Sequence, residues 1–320
     1  MKPLFIFSLP RSGSTLLQRV LMSHSKISSV AEPWLLLPLL QMLRKEGAAT
    51  TYSHQNSQRA MMDVISNMRG GKPEYNRLLK EFVESIYAAT SKNGCVYFLD
   101  KTPRYYMIIP EIVELFPDAK FIFLFRNPVH VYASILTTWG EGTLRHLFRY
   151  VEDLEEGPIF LSNGYSSIMD KAYALRYEEF VQNPKIHLKL LLDYLGLEYE
   201  ESMLINFADQ QLKGAMGDPT GVKAYDSIDT GSLEKWKNVF DNRFRKKLIK
   251  KYILGLPRDT LTIQGYDKKL IVEEIDGIKV GRITPLKDYC HYCRSVLILR
   301  LRLNFFLSEE MKWSVNKHLS

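Results

Sequence analysis

Five short apolar runs punctuate the chain, and segments with apolar residues at helical spacing separate most of them. The runs have the length and the unbroken apolar character of strands that are buried on both faces of a parallel sheet. They lie at 4–7, 27–30, 95–99, 121–125 and 172–176. This alternation predicts an α/β fold in which helices flank a parallel sheet.

Between the first two runs lie a polar loop and a predicted helix. The loop reads SLPRSGS over 8–14, and the helix is indicated by Leu16, Leu17, Val20 and Leu21. A tight turn from a strand into a helix directs backbone N–H groups and the positive end of the helix dipole at one point. The sequence therefore predicts an anion site at this turn.

The loop matches the phosphate-binding pattern G-x-x-x-x-G-K-[ST] only in part. Ser8 and Gly13 take the two glycine positions, and Thr15 takes the hydroxyl position. Ser14 replaces the lysine that ATP and GTP enzymes place on the phosphates, and Arg11 supplies a cation inside the loop instead. This argues against an ordinary ATPase or kinase. The alternative is a polar turn with an incidental arginine.

Residues 10–15, PRSGST, resemble the 5′-phosphosulfate loop of sulfotransferases that use 3′-phosphoadenosine 5′-phosphosulfate (PAPS). The loop contains an arginine, and Glu32 follows the next predicted strand. This pattern is most similar to that of tyrosylprotein sulfotransferases and of many bacterial sulfotransferases. The resemblance implies the sulfotransferase fold, with a P-loop NTPase-like parallel sheet, over 1–267, and a C-terminal extension of unknown role over 268–320. It also implies that the loop residues Arg11, Ser12, Gly13, Ser14 and Thr15 bind the nucleotide.

Lys101 follows the third apolar run, and ligands of such sheets collect beyond the carboxyl ends of the strands. It is therefore placed to reach the same anion as Arg11, although a solvated loop lysine is the alternative. The resemblance implies that Lys101 lies by the phosphosulfate and that Glu32 is the catalytic base. A carboxylate beside two cations is a weaker base, so we expect Glu32 to be held slightly apart from Arg11 and Lys101.

Arg126 directly follows the apolar run FIFLF, and Ser134 lies eight residues further, about two turns along the next predicted helix. The resemblance implies that this pair holds the 3′-phosphate. The alternative is that Arg126 caps the sheet and Ser134 lies on a helix surface. Magnesium-using phosphate-loop enzymes often carry an aspartate where Arg126 stands, so we expect no metal.

Further nucleotide contacts rest on the resemblance alone. It implies that Tyr177, in the segment RYEEF, lies beside the nucleotide, and that a loop over 214–237 closes on it. The candidates in that loop are Lys223, Ser232 and Lys235.

Composition narrows the partners. The net charge of +7 and the pI near 9.1 suit anionic ligands, but the chain carries no nucleic-acid recognition module. The three cysteines, including the lone pair in Cys290-His291-Tyr292-Cys293, fit a reducing compartment. No apolar run approaches the ~20 residues that span a bilayer, and the first strand leaves no room for a signal peptide. We expect a cytoplasmic protein.

Three segments carry weaker patterns. The polar stretch 47–77 reads as an insertion over the active-site mouth, and 143–167 reads as irregular. Apolar and polar residues alternate over 299–305, which predicts an amphipathic strand for packing or for a partner. The alternative is an interfacial segment, near 296–307, on an anionic membrane.

The combined prediction is an enzyme that moves a sulfuryl group from PAPS to an acceptor hydroxyl on a glycan or glycolipid. A small-molecule hydroxyl or a peptide tyrosine is the second choice of acceptor. The alternative classes are a phosphate-loop kinase, which should carry a lysine at position 14, and a non-catalytic nucleotide-binding protein, which would not need Glu32 or Lys101.

Overall fold

The computed structural model describes residues 1–45, 52–210, 212–214, 227–281 and 286–303. The chain divides into two compact units, each made of two chain segments. The first unit comprises Met1–Phe125 with Asn163–Ile228, and the second comprises Arg126–Ser162 with Asp229–Ser320.

A five-stranded parallel sheet forms the core of the first unit. The strands are β1 Lys2–Ser8, β2 Ile27–Ser29, β3 Tyr97–Asp100, β4 Lys120–Phe125 and β5 Ala172–Arg176, in the order β2-β3-β1-β4-β5. The apolar run 4–7 of β1 is fully buried, and its phenylalanines pack on those of β4, with Phe7 and Phe123 centroids 5.1 Å apart. The α/β fold with a parallel sheet is confirmed.

Helices flank the sheet and build the second unit. In chain order they are α1 Ser14–Met22, α2 Leu36–Gln41, α3 His54–Asn67, α4 Gly71–Thr90, α5 Ile109–Leu115, α6 Pro128–Thr138, α7 Gly157–Ser167, α8 Tyr177–Gln182, α9 Pro184–Leu195, α10 Ser202–Ile205, α11 Arg243–Gly255, α12 Arg258–Ile263, α13 Lys268–Asp276 and α14 Leu286–Arg300. Short 3₁₀ turns lie between several of them, including Pro103–Ile108, Thr230–Leu233 and Lys235–Asn238.

The two polar segments are more regular than the sequence suggests. The described part of 47–77 is largely helical, because α3 and the first residues of α4 fall in it. Ser53 caps α3 by accepting a hydrogen bond from the Asn56 backbone N–H. The prediction of an irregular segment over 143–167 is wrong for its second half, which forms α7. Helix α3 is mostly polar and α7 has weak apolar spacing, which explains why the pattern missed them.

The second unit packs its last helix into its own core. Tyr132 of α6 packs against Tyr252 of α11, with centroids 5.2 Å apart. From α14, Asp288 accepts hydrogen bonds from the Arg245 guanidinium at 2.8 Å, and Ser295 is buried. The C-terminal extension thus contributes core residues to the described part of this unit.

The predicted strand over 299–305 is wrong as far as the structure describes it. Helix α14 continues to Arg300, and a turn follows over 301–303. The buried residues Ser295 and Ile298 stand three positions apart, which is helical spacing. Residues 304–307 of the proposed interfacial segment lie outside the described residues. None of the helices that the structure describes has the length and apolarity to cross a bilayer.

Candidate functional site

The loop after β1 lies where ligands of open parallel sheets bind. Strand β1 is hydrogen-bonded to β3 on one side and to β4 on the other. The strands β2 and β3 therefore lie on one side of β1, and β4 and β5 lie on the other. The carboxyl end of such a strand is a topological switch point, and the crevice beyond it is the usual binding position. Ser8 ends β1, and α1 begins six residues later at Ser14.

Two residues of this loop take the left-handed conformation. Gly13 has a φ of +86° and Arg11 a φ of +64°. No described side chain caps the start of α1, although the first N–H groups of a helix need acceptors. The buried hydroxyls of Ser8 and Ser12 also have no hydrogen-bond partner among the described residues. Donors without partners around a tight turn fit an anion such as a phosphosulfate.

The Tyr177 ring packs directly against Gly13 of the loop. A side chain at Gly13 would place its Cβ 2.2 Å from Tyr177 Cε2, so only glycine fits there. Tyr177 is 2% exposed at the start of α8. The structure thus brings Tyr177 to the loop, and its contact with the nucleotide itself stays a prediction.

Glu32 and Lys101 meet at the edge of the loop. Lys101 Nζ lies 2.8 Å from Glu32 Oε1 and donates at 3.3 Å to Thr15 Oγ1. The side chain of Lys101 is 1% exposed and that of Glu32 is 12% exposed. The expectation that Glu32 stands apart from Lys101 is therefore wrong. Because β2 and β3 are adjacent and parallel, residues that follow their carboxyl ends are brought together.

The end of β2 is fixed to the neighbouring elements. Gln18 of α1 donates from Nε2 to Ser29 Oγ at 2.8 Å and to the Val30 carbonyl at 2.7 Å. The backbone N–H of Ala31 donates to the Lys213 carbonyl at 3.0 Å. These bonds hold the chain on both sides immediately before Glu32.

Trp34 and Thr102, which the sequence reasoning missed, lie beside the pair. Trp34 Nε1 donates to Glu32 Oε2 at 3.2 Å, and the Trp34 backbone N–H donates to Thr102 Oγ1 at 3.2 Å. The signal available in the sequence was the tryptophan two residues after Glu32, which the resemblance to known motifs does not single out.

Asp100, the last residue of β3, is fully buried directly before Lys101. Its Oδ2 accepts hydrogen bonds from the Tyr87 hydroxyl at 2.6 Å and the Tyr105 hydroxyl at 3.1 Å. Burial raises the pKa of Asp100 from 3.8 to about 7, against the lowering effect of these bonds. The Tyr105 hydroxyl also accepts from the Leu36 N–H at 3.1 Å, which ties α2 to the end of β3.

The residues predicted to hold the 3′-phosphate lie in the second unit. Arg126 is 8% exposed and directly follows β4, and its guanidinium donates to the Ser232 carbonyl at 3.5 Å. Ser134 lies in α6. Asn127 caps α6 by accepting from the Val129 N–H at 3.0 Å.

The 3₁₀ turn Lys235–Asn238 packs against α6 in the second unit. The buried ring of Trp236 stacks on His130 of α6, with centroids 5.6 Å apart. Lys235, next to it, is exposed. Lys223 lies outside the described residues. The structure thus brings Ser232 to Arg126, whereas the nucleotide contacts of Ser134, Ser232 and Lys235 stay predictions.

No group of three or more His, Cys, Asp or Glu side chains within the described ranges is arranged to hold a metal ion. The cysteines at 290 and 293 lie on the exposed surface of α14 and are free, as is Cys95. That the reaction needs no metal stays a prediction.

The chain is similar to several known proteins. The model of the family described as "Sulfotransferase family" matches residues 3–201. Nodulation protein NoeE of Sinorhizobium fredii is 31% identical over 257 residues, which are 73% of this chain and 59% of NoeE. The omega-hydroxy-beta-dihydromenaquinone-9 sulfotransferase Stf3 of Mycobacterium tuberculosis is 28% identical over 142 residues, 38% of this chain and 34% of Stf3.

A solved structure supports the fold. The sulfotransferase domain from the curacin biosynthetic pathway superposes with a TM-score of 0.52 at 23% identity, covering 80% of this chain and 98% of that domain. The chain spans only 59% of the length of NoeE, so the relatives' activities do not transfer directly. Because the family model covers more than half of its residues, the chain belongs to the sulfotransferase family.

Proposed function

We propose that this protein transfers a sulfuryl group from PAPS to an acceptor hydroxyl. The observation that carries the proposal is the cluster in which Lys101 bridges Glu32, at 2.8 Å, and Thr15, at 3.3 Å, beside a phosphate-type loop. The family membership supports the same reaction. A phosphate-loop kinase is disfavoured because Ser14 stands where its lysine would be.

The loop and Lys101 stabilise the leaving group. As the bond between sulfur and the 5′-phosphate oxygen breaks, negative charge collects on that oxygen. Fixed donors aimed at developing charge are the largest source of catalysis in many enzymes. The N–H groups at the start of α1, the hydroxyls of Ser14 and Thr15, Arg11 and the Lys101 ammonium supply such donors.

Glu32 takes the proton of the acceptor. The acceptor oxygen forms the new bond to sulfur, its proton passes to the Glu32 carboxylate, and 3′-phosphoadenosine 5′-phosphate (PAP) leaves. General-base catalysis of this kind contributes typically ~100- to 10,000-fold. When the phosphosulfate is bound, the Lys101 ammonium interacts with that anion as well as with Glu32. Its ion pair with Glu32 is then weaker than in the free protein.

Arg126 and Ser134 discriminate the nucleotide. An arginine recognises phosphate through a planar, permanently charged fork of donors, and Arg126 follows β4 directly. With Ser134, Ser232, Tyr177 and the loop lysines Lys223 and Lys235, it would select a 3′-phosphorylated adenosine over AMP.

The acceptor is a hydroxyl on a glycan or glycolipid. Support for a hydroxyl on a lipid comes from the relative Stf3, which is by its name an omega-hydroxy-beta-dihydromenaquinone-9 sulfotransferase. The positive net charge of +7 suits an acidic or already sulfated acceptor. A small-molecule hydroxyl or a peptide tyrosine is the alternative.

Purified protein with sulfur-labelled PAPS and three acceptor pools tests both points. The pools are neutral and acidic glycolipids, long-chain alcohols and tyrosine-containing peptides. We expect label transfer to the glycolipid pool and a fall of ~100- to 10,000-fold for Glu32→Gln, with unchanged binding of PAP. Transfer at near-normal rate by Glu32→Gln would contradict the base assignment, and label on peptides alone would contradict the acceptor.

A further inference from the structure

Both carboxylate oxygens of Glu32 have a fixed donor. Lys101 Nζ lies 2.8 Å from Oε1, and Trp34 Nε1 lies 3.2 Å from Oε2. The lysine is an obvious partner, but an indole N–H two residues along the chain is not. A side chain can reach back over so short a distance only if the backbone turns sharply between the two residues.

Trp34 makes that turn with an unfavourable backbone conformation. Its φ is +53°, in the left-handed region that costs an L-residue roughly 1–2 kcal/mol. Glycine would take this conformation without strain, so a tryptophan here requires a compensating interaction. The hydrogen bond from its indole to Glu32 is such an interaction.

The strained segment is held at both ends by buried groups that follow β3. The Trp34 N–H donates to Thr102 Oγ1 at 3.2 Å, and Thr102 is fully buried. Two residues later, the Leu36 N–H donates at 3.1 Å to the Tyr105 hydroxyl, which itself donates to Asp100. The same chain segment that supplies Lys101 therefore also fixes Trp34.

We propose that Trp34 is a positioning residue that orients the carboxylate of Glu32 through its indole N–H, and that Thr102 imposes the backbone conformation this requires. The inference rests on the proposed role of Glu32 as the base. With Oε1 and Oε2 each held by a donor, rotation of the carboxylate plane is restrained, so the lone pairs that remain have a fixed orientation towards the acceptor hydroxyl. Such preorganisation lowers the barrier without adding a binding contact to the nucleotide.

A double-mutant cycle between Trp34→Phe and Glu32→Gln tests the inference. Phenylalanine keeps an apolar ring and removes the N–H donor. We expect kcat to fall about tenfold, the size of one lost hydrogen bond to a charged group, with unchanged affinity for PAP. In the Glu32→Gln background the same substitution should lower kcat no further, because Trp34 acts only through the carboxylate.

Two other variants separate positioning from folding. Thr102→Val removes the acceptor for the Trp34 N–H with little change of shape, and its effect should not add to that of Trp34→Phe. Trp139→Phe removes an indole that packs against Tyr150 in the second unit and should leave kcat unchanged.

The outcomes are distinguishable from a failure of the proposed function. An equal loss from Trp34→Phe in both backgrounds would show a merely structural role and overturn the inference. Normal kcat in Trp34→Phe together with a large loss in Glu32→Gln would also overturn it while leaving the base in place. Normal turnover by Glu32→Gln would remove the base assignment and the inference together.

Discussion

Asp100 is a buried carboxyl directly before Lys101, and its environment makes folding stability depend on pH. Burial raises its pKa from 3.8 to about 7 in the folded protein. The folded state therefore binds this proton more tightly than the unfolded state between these two values. Stability from this group is greatest below pH ~4 and decreases as the pH rises to ~7.

Asp100→Asn should remove that dependence, because asparagine does not titrate. We expect the stability of the variant relative to the wild type to improve from pH 4 to pH 7, by on the order of 4 kcal/mol, and to stay level above pH 7. Urea unfolding across this range measures it. The exposed Asp118 serves as the control, since Asp118→Asn should keep a curve parallel to the wild type. A parallel curve for Asp100→Asn would contradict the account.

Some residues of the candidate site could be predicted from the sequence, and others could not. Arg11, Glu32 and Lys101 were identified because each lies within four residues of the end of a predicted strand and matches the resembling motifs, and strand ends meet at one edge of a parallel sheet. The direct ion pair between Glu32 and Lys101 was not, because side-chain geometry depends on the register of β2 against β3. Trp34 was missed for a different reason. Its role needs a left-handed backbone, which no local pattern in the sequence indicates.

At the scale of elements, the turn from β1 to α1 depends on one close approach. A Cβ at Gly13 would lie 2.2 Å from the Tyr177 ring, and φ there is +86°. Gly196, after α9, has a similar φ of +69°, but its Cβ would meet nothing within 4 Å. A substitution at Gly196 therefore tests only the penalty of the left-handed backbone. A substitution at Gly13 tests that penalty together with a steric clash.

We expect Gly196→Ala to cost roughly 1–2 kcal/mol of stability, which is the left-handed penalty alone. Gly13→Ala should cost more and should also abolish stabilisation by PAP, because the Tyr177 ring or the loop must move. Thermal unfolding with and without PAP measures both effects. Equal costs for the two substitutions, or retained stabilisation by PAP in Gly13→Ala, would show that the contact with Tyr177 does not shape the site.

Elements were predictable where apolar periodicity is strong and not elsewhere. All five strands appear close to their expected positions, because buried parallel strands are short unbroken apolar runs. Helix α3 was hidden by its polar sequence, and α7 by its weak apolar spacing. The alternation after position 298 was mistaken for a strand, although burial of Ser295 and Ile298 follows helical spacing.

At the scale of the whole molecule, the extension beyond 267 is a structural part of the second unit. Asp288 is 5% exposed and accepts from the Arg245 guanidinium and from Asn242 Nδ2, at 2.9 Å. Burial raises the pKa of Asp288, but these hydrogen bonds outweigh burial and hold the pKa below its ordinary value. Its contribution to stability is therefore present above the pKa of the unfolded chain and is lost as the pH falls through the folded value.

Asp288→Asn should destabilise the protein by about 3 kcal/mol at pH 7, because the partly buried Arg245 cation, 14% exposed, loses its counter-charge. The loss should shrink as the pH falls below ~4. Chemical denaturation at pH 7 and at pH 3.5 measures the difference. An exposed pair, Lys250 with Asp276, gives the control, since Asp276→Asn should change stability by under ~1 kcal/mol. A small effect of Asp288→Asn at pH 7 would show that the contact between Asp288 and Arg245 does not anchor the extension.

The proposed function requires that this chain bind a 3′-phosphorylated adenosine nucleotide for sulfuryl transfer. Thermal unfolding of the purified full chain with PAP, with AMP, and with ATP and magnesium tests it most directly. A ligand at ~100 times its dissociation constant adds ~2.7 kcal/mol of stability. We predict stabilisation by PAP, little by AMP, and loss of that difference in Arg126→Ala. Stabilisation by ATP and magnesium alone would contradict the account and favour a phosphate-loop kinase.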